Sequence, residues 1–159
     1  MLITKKDHRI FLIVSIVMTF FIGVSYEMDY RDFTRDVVQY LANYDLKFYG
    51  GKDSISLSLI APFIFALTPV GFHFTSSRIV SSERRLAHTF IQLVLILIFY
   101  FIYCFLDGVY IYNKIVPIEE VDGVVKFHKN DLHYTMIVLL TLTSTFMTGT
   151  IIKKVMTRD

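Results

Sequence analysis

Apolar residues gather into four blocks along this chain, and the most uniformly apolar one governs how the others are read. Residues 87–106, AHTFIQLVLILIFYFIYCFL, hold twenty positions without Asp, Glu, Lys or Arg. A helix rising about 1.5 Å per residue over that run matches the roughly 30 Å hydrocarbon core of a bilayer. A soluble helix of this length carries a polar stripe, whereas here only Gln92 interrupts the apolar surface at depth. The pattern predicts a transmembrane helix.

The remaining blocks fit the same reading. Residues 10–26 form a first span of seventeen positions after a short basic start with Lys5, Lys6 and Arg9. That start and Gly23-Val24-Ser25 also fit a signal peptide with a small-x-small cleavage site, and the segment is taken here as retained. Residues 54–77 form a second span without Asp, Glu, Lys or Arg, and Pro62 and Pro69 predict a kink or local unwinding within it. Residues 132–152 form the fourth span. Small residues recur at every fourth position as Ser15, Thr19 and Gly23 in the first span and as Thr141, Thr145 and Gly149 in the fourth, with Thr148 beside the second line. Such lines let helices approach closely within a bundle or between protomers, and Gln92 can act as interhelical glue.

Between spans lie two long loops, 27–53 and 107–131, and one short turn, 78–86. In the first loop, Asp32 opens a segment whose Val37, Val38, Leu41 and Tyr44 fall at helical spacing, which predicts a short amphipathic helix at the membrane surface. In the second loop, Val109-Tyr110-Ile111-Tyr112 favours extended structure, and Asp122-Gly123 between Val121 and Val124 reads as the turn of a small β-hairpin. Pro117 limits the regularity of its first strand. The fold expected is therefore an all-α membrane protein: one domain, a four-transmembrane-helix bundle.

Composition and charge agree. The 159 residues are 54% hydrophobic and only 19% charged, below the quarter typical of soluble domains. The two termini and the inner turn together hold nine Lys or Arg against three acids, and the two long loops hold seven against eleven. The positive-inside rule then places both termini in the cytoplasm of a bacterial inner membrane, with both long loops outside. Tyr26, Tyr30, Tyr49, Tyr110, Tyr112 and Tyr134 are expected in an aromatic belt at the outer boundary. Cys104 is the single cysteine, so no internal disulfide can form.

No catalytic motif is present: the chain has no HExxH, CxxC, GxxxxGK[ST] or GxSxG. His128 and His133 flank Asp131, too thin a set for a metal site, and no cofactor is expected. No acidic or basic residue sits in the middle of a span, which argues against a proton relay or voltage sensor. Arg78, Arg84, Arg85, Lys153 and Lys154 make an inner basic face suited to anionic lipid or a cytoplasmic protein, and too small for direct nucleic-acid binding.

With its four spans, both ends inside, long first outer loop and short basic inner turn, the chain resembles two bacterial families in layout. The first is the membrane subunit of the Kiwa anti-phage system, a small four-span protein that carries a cytoplasmic partner. It is also similar to immunity proteins against pore-forming colicins of the colicin A type. Both resemblances rest on layout and carry no functional residue across. The first implies a non-enzymatic scaffold or sensor, homo-oligomeric, whose outer loops sense the envelope and whose basic face anchors a cytoplasmic effector. The second implies a protein that blocks a toxin through its span faces. A small channel or transporter, using the Pro62–Pro69 helix and the Thr-rich span, is a third class.

Overall fold

A computed structural model describes residues 5–42, 47–50, 55–76, 79, 81–121, 124–127 and 133–157. The elements in order are α1 (Lys5–Ala42), β1 (Lys47–Gly50), α2 (Ile55–Ser76), α3 (Ser82–Lys114), α4 (Val116–Glu119), β2 (Glu120–Val121), β3 (Val124–Phe127) and α5 (Tyr134–Met156). Among the described residues, three helical segments, Asp7–Ser25, Glu83–Lys114 and Tyr134–Met156, are long and apolar enough to cross a membrane. In the bundle, α1 packs on α2 and α3, and α3 packs on α5.

The bundle buries polar side chains among apolar ones and is apolar outside. Ser15, Thr19, Thr68, Ser76, His88, Thr89, Gln92, Thr141 and Thr145 are buried, while Phe21, Phe63, Leu67, Phe74 and Ile151 are exposed, Phe74 at 69%. Water would not tolerate so much contiguous apolar surface, and lipid does. Most buried hydroxyls satisfy themselves locally: Ser15 donates to Phe11 O at 2.8 Å, Thr19 to Ser15 O at 2.8 Å and Thr145 to Thr141 O at 2.7 Å. This leaves their helix faces effectively apolar and slim enough for close packing.

Two helices run past the ends expected of them. The first helix does not stop at 26. It continues to Ala42, and the short amphipathic helix expected in the first loop is its distal half. No Gly or Pro lies between Gly23 and Gly50 to end it. Arg35 also pairs along the helix with Asp32 at 3.6 Å and Asp36 at 3.4 Å. Tyr30, Thr34, Val37 and Val38 are buried at helical spacing, Leu41 is half-buried, and Asp32 is exposed. Tyr44 lies outside the described residues.

The third helix likewise continues to Lys114, so Val109-Tyr110-Ile111-Tyr112 is helical rather than extended. The reason is packing. Cys104, Asp107, Gly108 and Ile111 are buried on one helical face, while Tyr110 is exposed and Tyr112 half-buried. Tertiary contact overrides the local β preference of such a run. Pro117 then falls at the start of α4, where its missing N–H is harmless.

Beyond α1 and α3, a three-stranded sheet of order β1-β3-β2 gathers the outer segments. β1 pairs parallel with β3, Lys47 opposite Val124, and β2 pairs antiparallel with β3, Val121 opposite Val124. Strand β1 was not foreseen in the sequence. Asp122 and Gly123, expected at a turn, lie outside the described residues. α2 stays helical through both Pro62 and Pro69, which are buried in the bundle.

Candidate functional site

Two polar clusters tie the helices together, one at each end of the bundle. The outer cluster joins Tyr30 of α1, Asp107 of α3 and His133 at the start of α5. The Tyr30 hydroxyl donates to Asp107 Oδ2 and accepts the His133 backbone N–H at 3.2 Å. His133 Nδ1 lies 2.8 Å from Asp107 Oδ1. A carboxylate only accepts, so Nδ1 carries the proton and donates it. Nε2 of a neutral His133 is then left with its lone pair, on a side chain 30% exposed against 8% for Asp107.

The surrounding tyrosines complete this end. The ring of Tyr30 lies 4.6 Å from that of Tyr134, and Tyr110 stands edge-on to His133 at 5.5 Å. Tyr30 and Tyr134 are thus buried within the bundle rather than set in an outward belt, while Tyr110 remains exposed. Burial first, and then the hydrogen bond and charge of Asp107, push the Tyr30 phenol well above its ordinary 10.0.

This shift has a testable sign. The folded state holds the Tyr30 proton more tightly than the unfolded chain. The resulting stability is complete below pH 10 and declines as pH rises above it, where the unfolded tyrosine ionises. Thermal melts in micelles should fall above pH 10 in the native protein, and more gently in Tyr30→Phe. Identical alkaline slopes for the two proteins would refute the assignment.

The inner cluster centres on His88 of α3, which is fully buried. Its Nε2 lies 2.7 Å from Gly149 O of α5, and its Nδ1 lies 2.6 Å from Ser76 Oγ of α2. The carbonyl can only accept, so Nε2 carries a proton. In the neutral ring Nδ1 is an acceptor, and it shares the single Ser76 hydroxyl proton with Phe72 O, 2.8 Å from Ser76 Oγ. His88 in this way fastens the end of α2, and α5 two turns before its end, to α3. Gln92, fully buried one turn on, lies against the bare Cα of Gly149, where a side chain would collide with its amide.

The inner basic residues act on the same helix ends. Arg85 donates through Nε and Nη2 to Ile79 O, at 3.2 and 2.8 Å. Arg84 Nη1 donates to Met156 O at 3.2 Å, and Lys153 Nζ donates to Thr75 O. Lys153 and Arg84 thus satisfy orphan carbonyls and oppose the negative poles at the C-termini of α2 and α5, while Arg85 holds Ile79, three residues past α2. Ser81 caps the start of α3, accepting from the Arg84 backbone N–H at 3.5 Å. Of the five residues expected to form a docking face, Arg84, Arg85 and Lys153 thus bond within the chain and Lys154 is exposed. Arg78 lies outside the described residues.

The expected packing residues lie within the bundle: Ser15, Thr19, Gly23, Gln92, Thr141, Thr145 and Gly149 are buried and Thr148 is half-buried. Ser144, beside them, pairs across with Tyr103 of α3 at 2.6 Å. Sequence reading missed the outer cluster, because it placed Asp107 in a loop and Tyr30 in a belt. The available signal was the helical spacing of Cys104, Asp107, Gly108 and Ile111. Among the described residues, no group of three His, Cys, Asp or Glu could hold a metal ion. No protein-family model matches this chain, and neither a curated protein nor a solved structure matches it.

Proposed function

We propose that this chain is a non-enzymatic scaffold or sensor subunit of a bacterial inner membrane. It crosses the bilayer four times with both termini in the cytoplasm, assembles as a homo-oligomer and anchors a cytoplasmic effector in anti-phage defence. α2, with 22 residues and no Asp, Glu, Lys or Arg, is the fourth span in this reading. The basic inner turn and termini give the orientation.

One observation supports the sensor role above the others. Past the level of the Asp107–His133 bond, α1 continues for twelve residues and α3 for seven, without a break. At helical rise these are rigid extensions of roughly 18 and 10 Å. The β1–β3 pairing joins the segments that follow them. A ligand or force acting on this outer module therefore moves the spans as levers, where a flexible loop would absorb it. The immunity alternative has less support, since Thr145 is fully buried against the protein's own helices. It would have to act through lipid-facing residues such as Met147 and Ile151.

The test is co-purification from native membranes in mild detergent, with the intact assembly weighed. Lys154→Glu is the variant of choice, because Arg84 and Arg85 hold helix ends and their loss would disturb the fold. A single stoichiometric cytoplasmic protein, released by Lys154→Glu, is the expected result. A bare chain or bare homo-oligomer would overturn the scaffold reading and shift attention to toxin protection.

A further inference from the structure

A groove of about 460 Å³ opens between α3 and α5 beside the outer cluster, within the size range of small-ligand sites. Asp107 and His133 form one end of it, and Leu106, Met136 and Leu140 form its apolar walls. Leu140 lies seven residues along α5 from His133, roughly 10 Å toward the middle of the span. The groove therefore runs from the headgroup level into the hydrocarbon, and it has the polarity gradient of a lipid molecule. Leu106 and Met136 are both more than half exposed, on a flank that faces lipid once α3 and α5 span the membrane.

The charge at the polar end selects among lipids. Among the described residues, no Lys or Arg lines the groove. Asp107 is the one carboxylate among the described residues that line it. Tyr30 and His133 each engage one of its oxygens, and a carboxylate has about four acceptor positions in all. A carboxylate buried at this depth is stabilised by a cation, and the lone pair of His133 Nε2 and the ring of Tyr110 offer further contacts to an ammonium group.

We propose that this groove binds a phospholipid with a primary ammonium head, as in phosphatidylethanolamine. The ammonium sits at Asp107, and one acyl chain lies along Leu106, Met136 and Leu140. A quaternary choline head has no N–H to donate, and an anionic glycerol head brings like charge to the carboxylate. The proposal rests on α3 and α5 as spans and is independent of any cytoplasmic partner.

Native mass spectrometry of the full chain tests it, using phosphatidylethanolamine, phosphatidylcholine and phosphatidylglycerol of identical acyl chains. The expected result is one retained ethanolamine lipid, favoured at least roughly tenfold over the glycerol lipid, as a charge-assisted contact would give. Asp107→Asn should abolish the preference. Because that change also touches the bundle, Leu140→Trp provides a second variant, filling the groove while leaving the cluster intact; it should remove the retained lipid without lowering the melting temperature. Equal retention of all three lipids, or unchanged retention in Leu140→Trp, would overturn the proposal. So would a dimer that Leu140→Trp disrupts with no lipid bound.

Discussion

Asp107→Ala should destabilise the protein by about 3 kcal/mol, the low end for losing two hydrogen bonds to one buried carboxylate. The carboxylate joins α3 to α1 through Tyr30 and to the start of α5 through His133. Hydrogen bonds to a charged group contribute about 1.5–3 kcal/mol each, and both would be lost. The Tyr30 hydroxyl would stay buried after losing its acceptor. The imidazole, 30% exposed, would recover part of its loss by turning to solvent or headgroups. That recovery sets the estimate at the low end. Asp107→Asn should cost about half as much, because the amide still accepts one of the two bonds. Asp36→Ala, at an exposed ion pair, should change stability by less than about 0.5 kcal/mol. Unfolding in mixed micelles measures all three, and a loss below about 1 kcal/mol for Asp107→Ala would refute the latch.

The same cluster explains where sequence reading succeeded and where it stopped. Three of the four apolar blocks coincide with long apolar helices, because length and uninterrupted hydropathy are local properties. Helix ends were misjudged for a physical reason. At Glu27 and at Asp107 the appearance of charge was taken as the end of the helix, when it marks only the end of the apolar run. Hydrogen bonding along a helix is indifferent to that boundary, so α1 and α3 continue outward until Ala42 and Lys114. Once they continue, Tyr30 and Asp107 meet across 77 positions of sequence, a contact that no local spacing encodes.

The inner end gives a parallel case. Arg84, Arg85 and Lys153 were read as an orientation signal, which depends only on which side of a span they fall. That Lys153 and Arg84 hold late carbonyls of α2 and α5, and Arg85 that of Ile79 just past α2, depends on those two helix ends meeting around α3, which is a property of the packed bundle. Both uses are compatible. A cation at a helix C-terminus serves the fold while its charge still biases the side on which it stays. The exposed Lys154, which donates to no carbonyl among the described residues, is the member of this group best suited to an outside partner.

Gly108→Ala should also weaken the bundle, against the usual direction of such a change. Glycine within a helix costs about 0.5–1 kcal/mol relative to alanine, so an uncrowded site would gain stability. Here a new Cβ would lie 2.7 Å from Val37 Cγ1 and 2.9 Å from Val37 Cβ. The first atom can rotate aside. The second is fixed to the backbone of α1, so the two helices themselves must separate. Overpacking of this kind costs about 1–3 kcal/mol and exceeds the propensity gain. The pairing with Val37 makes the result diagnostic. Val37→Ala removes the nearer atom and leaves the farther one, so the double variant should recover part of the loss and not all of it. Gly149 differs in kind, because its neighbour is the movable end of Gln92 rather than a backbone-fixed atom. A gain in stability from Gly108→Ala would mean that α1 and α3 do not approach closely at this level, and the extension of α1 as a lever would fall with it.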